Sequence, residues 1–208
     1  MIVSEIVELD KKRVKVYIDG EFAFVLYKGE LRDYQIKPDN EISKQSYDEI
    51  IGTLLPKRAT KRAMNLLQKK DYTEKQLRDK LSEGLYSEDC IDAAIEYVKS
   101  YRYLDDDRYA RDYITYHIEG KSKNKILQNL VNKGISKELV CNIFEELDNS
   151  QDIESIHDLE RDQIIKLLNK KHYNPEMEYK EKQKIMAFLM RRGYGMDSIK
   201  DAMNNYEN

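Results

Sequence analysis

Four apolar positions recur at one fixed spacing three times along this chain. Leu81, Leu130 and Leu189 each close a stretch rich in lysine or arginine; five residues later stand Tyr86, Ile135 and Tyr194. Ten residues later come Ile91, Val140 and Ile199, and fourteen later Ile95, Phe144 and Met203. Physically the frame is a helix, a tight turn and a second helix. Gly134 and Gly193 fall where a left-handed C-cap is needed, a conformation in which a Cβ would clash. In the first copy Gly84 lies one residue early and Leu85 takes the slot, which predicts a turn built differently there. Ser87, Ser136 and Asp197 stand at the expected N-caps of the closing helices. Thr73-x-x-Gln76 is a capping box, and Asn174-Pro175 offers an N-cap with proline at the first helical position.

Each helix pair is preceded by another amphipathic stretch: Ala59, Ala63, Leu66 and Leu67; then Tyr109, Ala110, Tyr113, Ile114 and Tyr116; then Leu159, Ile164, Ile165 and Leu168. The expected architecture is therefore mainly α, with three tandem three-helix repeats at 56–104, 105–149 and 150–208. Such units touch chiefly their neighbours, which predicts an elongated, curved array spanning on the order of 60 Å.

The first 55 residues have a different period. Val14, Val16 and Ile18 alternate with polar neighbours, and after Asp19-Gly20 the run Phe22, Phe24, Leu26 resumes the alternation. Asp-Gly between two such runs marks a hairpin, because the turn demands positive φ. Strands are expected over 2–8 and 14–27. Pro38-Asp39-Asn40 then breaks the chain, and Ser43 or Ser46 caps a short helix ending near Leu55. This small β-rich segment carries no evident catalytic group and reads as a docking or bracing element.

Composition narrows the function. No apolar run approaches the ~18 residues that span a membrane, and no signal peptide opens the chain. Cys90 and Cys141 sit in apolar helical stretches, as reduced core residues of a cytoplasmic protein do. His117, His157 and His172 are too scattered for a metal motif, and no phosphate-loop, dinucleotide or nucleophile-elbow signature occurs. We therefore expect no catalytic residue, metal or cofactor. A net charge of −3 argues against a simple polyanion binder.

The average hides a pattern. Lys57, Arg58, Lys61, Arg62, Lys69, Lys70, Lys75 and Arg78 crowd the first two helices of copy one. Lys121, Lys123, Lys125 and Lys133 mark the second helix of copy two, and Arg191 and Arg192 end its counterpart in copy three. The closing helices are acidic instead, with Glu88, Asp89, Asp92 and Glu96, then Glu138, Glu145, Glu146 and Asp148. A basic stripe recurring with the repeat suits DNA phosphates or the acidic surface of a protein coating DNA.

The segment Tyr103-Leu104-Asp105-Asp106-Asp107-Arg108-Tyr109-Ala110, with Lys133-Gly134-Ile135 and Arg191-Arg192-Gly193-Tyr194, closely resembles the RecX family of RecA regulators. Val16 to Phe24 looks like the extra N-terminal β-domain of Firmicute-type members. Arg102 and His117 depart from the family pattern, standing where glycine and a basic residue are common. The resemblance implies a monomeric protein of DNA repair and recombination that lies along the groove of the RecA–DNA filament, with possible direct DNA contact. It implies inhibition of ATP turnover, strand exchange and co-protease activity. The residues alone leave open an autonomous DNA-binding helical-repeat protein. Asp105 reads as an N-cap and Asp106 as a first-turn carboxylate, favoured over a metal site because consecutive helical side chains diverge by ~100°.

Overall fold

The computed structural model describes residues 1–149 and 155–206, so the expected start of the third repeat at 150 lies outside the described residues. The chain packs as two compact units, Met1–Asp105 and Asp106–Asn208.

In the first unit, β1 (Val3–Glu8), β2 (Arg13–Ile18) and β3 (Glu21–Tyr27) form an antiparallel sheet in that order. Asp19 and Gly20 make the hairpin turn at φ 50° and 90°, the paired positive values that a type I′ turn requires. Val14, Val16, Phe24 and Leu26 are buried on one face. A register shift between Val16 and Tyr17 corrects the simple alternation expected for β3. Phe22 is turned outward beside Tyr17, with ring centroids 5.9 Å apart, as the one-residue offset of a bulge dictates.

Helix α1 (Lys28–Asp33) follows directly and was not expected. It is one and a half turns long with Gly29 inside, too short for a helical period to show. Helix α2 (Lys44–Glu49) is capped by Ser43, whose Oγ accepts the Ser46 N–H at 3.1 Å. The predicted break near Leu55 does not occur. A π-helical turn, Ile50–Leu54, leads without interruption into α3 (Leu55–Leu67). Leu55 N–H donates to Ile50 O, and this widened turn sits just ahead of Pro56, whose ring lacks an N–H and crowds an ordinary α-turn.

Helices α4 (Glu74–Ser82) and α5 (Glu88–Ser100) start at the expected caps, Thr73 with its reciprocal Gln76, and Ser87. The sheet and these helices share one core, in which Val16, Phe24 and Leu26 meet Ile50, Ala59, Ala63, Leu81, Ile91 and Ile95.

The second unit holds α6 (Asp106–His117), α7 (Lys123–Asn132), α8 (Lys137–Asn149), α9 (Ile156–Lys170), α10 (Tyr179–Arg191) and α11 (Met196–Asn204). Two expected caps are corrected. Asn174 Oδ1 accepts the Glu176 N–H at 2.8 Å, closing a local turn, and α10 begins only after Glu178. Gly195, not Asp197, precedes α11, and Asp197 lies in its first turn. Ser136 caps α8, accepting from Leu139 N at 3.2 Å. Every position of the recurring frame is buried except Tyr86, which is half-buried.

Gly134 and Gly193 close their turns at φ 95° and 92°. In the first copy Leu85 takes the same left-handed conformation at φ 61°, but the turn is built differently, as expected: the bonds from Ile135 N–H to Leu130 O and from Tyr194 N–H to Leu189 O have no counterpart from Tyr86 among the described residues. Inside this unit a buried relay joins the last two helix groups. Gln163 Nε2 donates to Ile118 O at 2.6 Å, and its Oε1 accepts from Tyr194 Oη at 2.9 Å.

Glu160 gives a pH-dependent prediction. Its carboxylate accepts Lys123 N–H at 2.7 Å at the start of α7, yet burial raises its pKa above the ordinary value of 4.5, against the pull of Lys123. A carboxyl raised in the folded state costs nothing where both states are protonated and penalises the fold once both are ionised. Glu160→Gln keeps the acceptor and removes the charge. It should raise Tm at neutral pH and leave it unchanged well below pH 4.5, checked by thermal melts across pH.

Candidate partner-binding surfaces

One stripe of α3 is apolar and buried, carrying Ala59, Ala63 and Leu66. The stripe turned away carries Lys57, Lys61, Arg62 and Asn65, residues that helical spacing brings onto one side. With Tyr27 from the end of β3, Leu54 from the π-turn and Tyr86 from the α4–α5 turn, they line an open cleft of about 480 Å³.

Arg58 is also at this cleft, but its guanidinium is engaged within the fold. It pairs with Glu30, donates to Val25 O at 3.1 Å and lies 4.7 Å above the Tyr27 ring. Arg58 thus ties α3 to β3 and α1 and sets the cleft wall. Glu30 is occupied by Arg58, and Asp10 by Arg13 at 2.7 Å. Lys57, Lys61 and Arg62 make no ion pair among the described residues. Tyr86 keeps its proton, because burial raises the phenol against the opposing charges of Arg58, Arg62 and Arg13. The cleft is therefore cationic, with two aromatic walls and an amide.

The other basic residues of the first unit differ. Arg78 is spent on Glu74 at 2.9 Å and Asp92 at 2.6 Å, and these bonds raise its pKa further. Lys75 lies 4.0 Å from Asp79. Lys70 covers the Tyr72 ring at 4.5 Å, and Lys69 is exposed. Leu104 is buried, while Tyr103 is exposed and stacks on Tyr101 at 5.8 Å. Asp105 immediately precedes α6, and Asp106 occupies its first turn.

In the second unit, Tyr109, Tyr113 and His117 lie one turn apart along α6, and their rings touch in succession at 6.4 and 4.3 Å. Lys133 places its ammonium 5.6 Å from the Tyr109 ring and 5.7 Å from Tyr113, and Lys121 lies 5.5 Å from Tyr113. Asn129 Nδ2 donates to the Tyr113 hydroxyl at 3.2 Å. Lys123 lies over Phe144 at 5.1 Å, and Lys125 is exposed. Arg192 covers Phe188 at 4.8 Å, while Arg191 is exposed.

Sequence reasoning picked out the cations of both surfaces and missed the rings and amides beside them: Tyr27, Asn65 and Tyr86 in the cleft, His117 and Asn129 in the ladder. The i, i+4 recurrence of Tyr109, Tyr113 and His117 opposite Lys121, Lys125, Asn129 and Lys133 was the available signal for the second. Among the described residues no three His, Cys, Asp or Glu side chains gather as a metal site would need, and no helix is long and apolar enough to cross a membrane.

Three stretches match descriptions of known domains. Residues 59–97 match "RecX, first three-helix domain", 105–141 "RecX, second three-helix domain", and 158–203 "RecX, third three-helix domain". The "Regulatory protein RecX" of Clostridium botulinum (strain Eklund 17B / Type B) is 30% identical over 199 residues, covering 96% of this chain and 92% of the relative. That of Clostridium perfringens (strain 13 / Type A) is 31% identical over 209 residues, covering 98% and 94%. Among solved structures, a crystal structure of regulatory protein RecX aligns with a TM-score of 0.63 at 22% identity, covering 96% of this chain and 98% of the other. RecX from Lactobacillus salivarius aligns at 0.60 and 22% identity, covering 72% and 95%; at that identity the likeness speaks to fold.

Proposed function

The chain belongs to the RecX family of regulatory proteins, and from that premise we propose that it binds the RecA–DNA filament along its groove and restrains RecA ATP hydrolysis, strand exchange and co-protease activity. The observation that carries this reading is the α3 cleft, where Lys57, Lys61 and Arg62 stand without a carboxylate partner among the described residues. In a protein of net charge −3, a face of uncompensated cations is better suited to an anionic partner than to solubility. Such a patch steers association and sets orientation. DNA phosphates and an acidic protein surface both fit it, and a filament offers both.

In this reading the β-rich segment, residues 1–55, braces the first repeat at 56–104. The repeats at 105–149 and 150–208 add further contacts. Linked weak contacts multiply in such binding, so a regulator needs no active site and no dominant residue. The protein acts as a cytoplasmic monomer without cofactor or catalytic step.

Added below stoichiometry to RecA on single-stranded DNA, it is expected to lower both ATP hydrolysis and strand exchange. If neither changes, with normal helical circular dichroism, the reading is wrong. The tyrosine–lysine ladder favours a second reading, an autonomous DNA-binding protein. That protein would bind bare DNA tightly at physiological salt without RecA and lose affinity steeply as salt rises.

A further inference from the structure

Helix α1, which no helical period announced, ends on a residue that the local geometry disfavours. The Ile36 N–H donates to Leu31 O at 2.7 Å, closing the helix, and Gln35 stands just before it at φ 54°. Glycine or asparagine is usual at that left-handed slot, and another side chain costs about 1 kcal/mol there. Gln35 lines an open cleft of about 540 Å³ together with Lys28, Leu31, Arg32, Ile36, Lys37 and Asn40. The far wall is zipped to β1: Val3 N–H donates to Asn40 O at 2.9 Å, and Asp39 N–H to Val3 O at 2.8 Å. The helix dipole accounts for a cation at Arg32 but not for Lys37, beyond the helix end. Lys28 meets Glu8 at 2.5 Å, an exposed pair of small worth. Arg32 and Lys37 are exposed, and among the described residues they make no ion pair and no carboxylate lines the cleft.

We propose that this cleft binds an acidic peptide segment of a partner protein, with carboxylates at Arg32 and Lys37 and an aliphatic side chain laid on Leu31. The inference goes beyond the reading above and does not rest on it: residues 1–55 gain a contact of their own, in addition to bracing the first repeat.

The lining selects the ligand. No aromatic ring is among these residues, so a nucleobase has nothing to stack on, the contact that strand-binding surfaces rely on. The floor is aliphatic instead, with Ile36 buried and Leu31 part-buried. Phosphates would meet Arg32 and Lys37 but leave that floor wet, whereas a peptide brings carboxylates and aliphatic groups together on one chain. Arg32 can hold a carboxylate through two parallel N–H bonds. Gln35 and Asn40 supply carboxamides, each able to donate to a peptide carbonyl and accept from a peptide N–H. The Asn40 backbone is spent on Val3 and, at 3.3 Å, on Lys37 O, so the wall carrying its carboxamide is set before any ligand arrives.

The test uses the full chain and a fluorescein-labelled peptide of alternating glutamate and leucine, read by anisotropy without RecA or DNA, so its failure is separable from failure of the filament assay. Wild type is expected to bind this peptide saturably at physiological salt. A peptide with serine in place of leucine should bind about tenfold more weakly, and one with glutamine in place of glutamate should not bind. Arg32→Gln with Lys37→Gln should weaken binding by at least about tenfold at unchanged helicity. Gln35→Gly should weaken it about fivefold while Tm holds or rises, because glycine suits the left-handed slot. A glutamine that served only the fold would lower Tm and leave affinity alone. Equal affinity for the leucine and serine peptides, or binding unaffected by the paired Arg32 and Lys37 change or by Gln35→Gly, overturns the proposal. So does oligothymidylate displacing the peptide at equal charge concentration, which would make the cleft a general polyanion surface.

Discussion

Gly193→Ala is expected to destabilise the second unit by about 3 kcal/mol, lowering its melting temperature by roughly 10–20 °C for a unit of this size. Three costs combine. At φ 92° an alanine carries the left-handed penalty of about 1 kcal/mol. Its Cβ would lie 2.6 Å from Ser122 Oγ and 3.2 Å from Lys125 N, too close for either to remain in place. Ser122 is buried, and its Oγ both caps α7, accepting from Lys125 N at 3.3 Å, and donates to Arg192 O at 2.9 Å. Displacing it forfeits a cap and a buried hydrogen bond, each about 1 kcal/mol.

Calorimetry on a double-mutant cycle separates these parts. On a Ser122→Ala background the same change should cost only about 1 kcal/mol, the backbone share. Gly20→Ala, at φ 90° with nothing within 4 Å of the added Cβ, isolates that share elsewhere. Additive effects at 193 and 122 would contradict the account.

Leu85 shows why the distinction matters. It occupies the slot equivalent to Gly134 and Gly193 at φ 61°, so the left-handed turn alone does not demand glycine. At 193 the added demand comes from the approach of Ser122, 71 positions earlier in the chain, and no local pattern announces such an approach. The frame itself was legible because it is local: apolar spacing, a C-cap slot and N-cap serines follow one another within fifteen residues. Features that depend on distant partners were not. Helix α1 escaped notice at six residues, and with it Glu30, the partner that makes Arg58 a structural residue. Proline normally ends a helix, so the continuous path through Pro56 required the π-turn to be seen.

The charge pattern was legible only in part. Arg78 in α4 and Asp92 in α5 looked like members of separate basic and acidic clusters, yet they bond at 2.6 Å. Arg111 likewise reaches Glu146 at 2.6 Å. Much of the alternation is thus internal compensation. The cleft cluster has no such ion pair among the described residues, and its aromatic walls could not be read from sequence, since Tyr27 and Tyr86 flank α3 from segments on either side of it.

Reversing Lys57, Lys61 and Arg62 together to glutamate is the second large expected effect. These side chains are exposed and carry no internal ion pair among the described residues, so helicity and Tm should hold. Arg58 must be left unchanged, because its loss would strip Glu30 and Val25 O of their partner and confuse binding with folding. Six units of charge change at a cationic cleft should weaken capture of an anionic filament by at least about tenfold, with most of the loss at low salt.

Co-sedimentation with RecA filaments preassembled on single-stranded DNA tests the central claim most directly. Wild type should pellet with the filament at physiological salt, and the triple variant, folded to the same degree, should stay in the supernatant. Equal pelleting of both proteins, or a wild type that remains in solution, would contradict it.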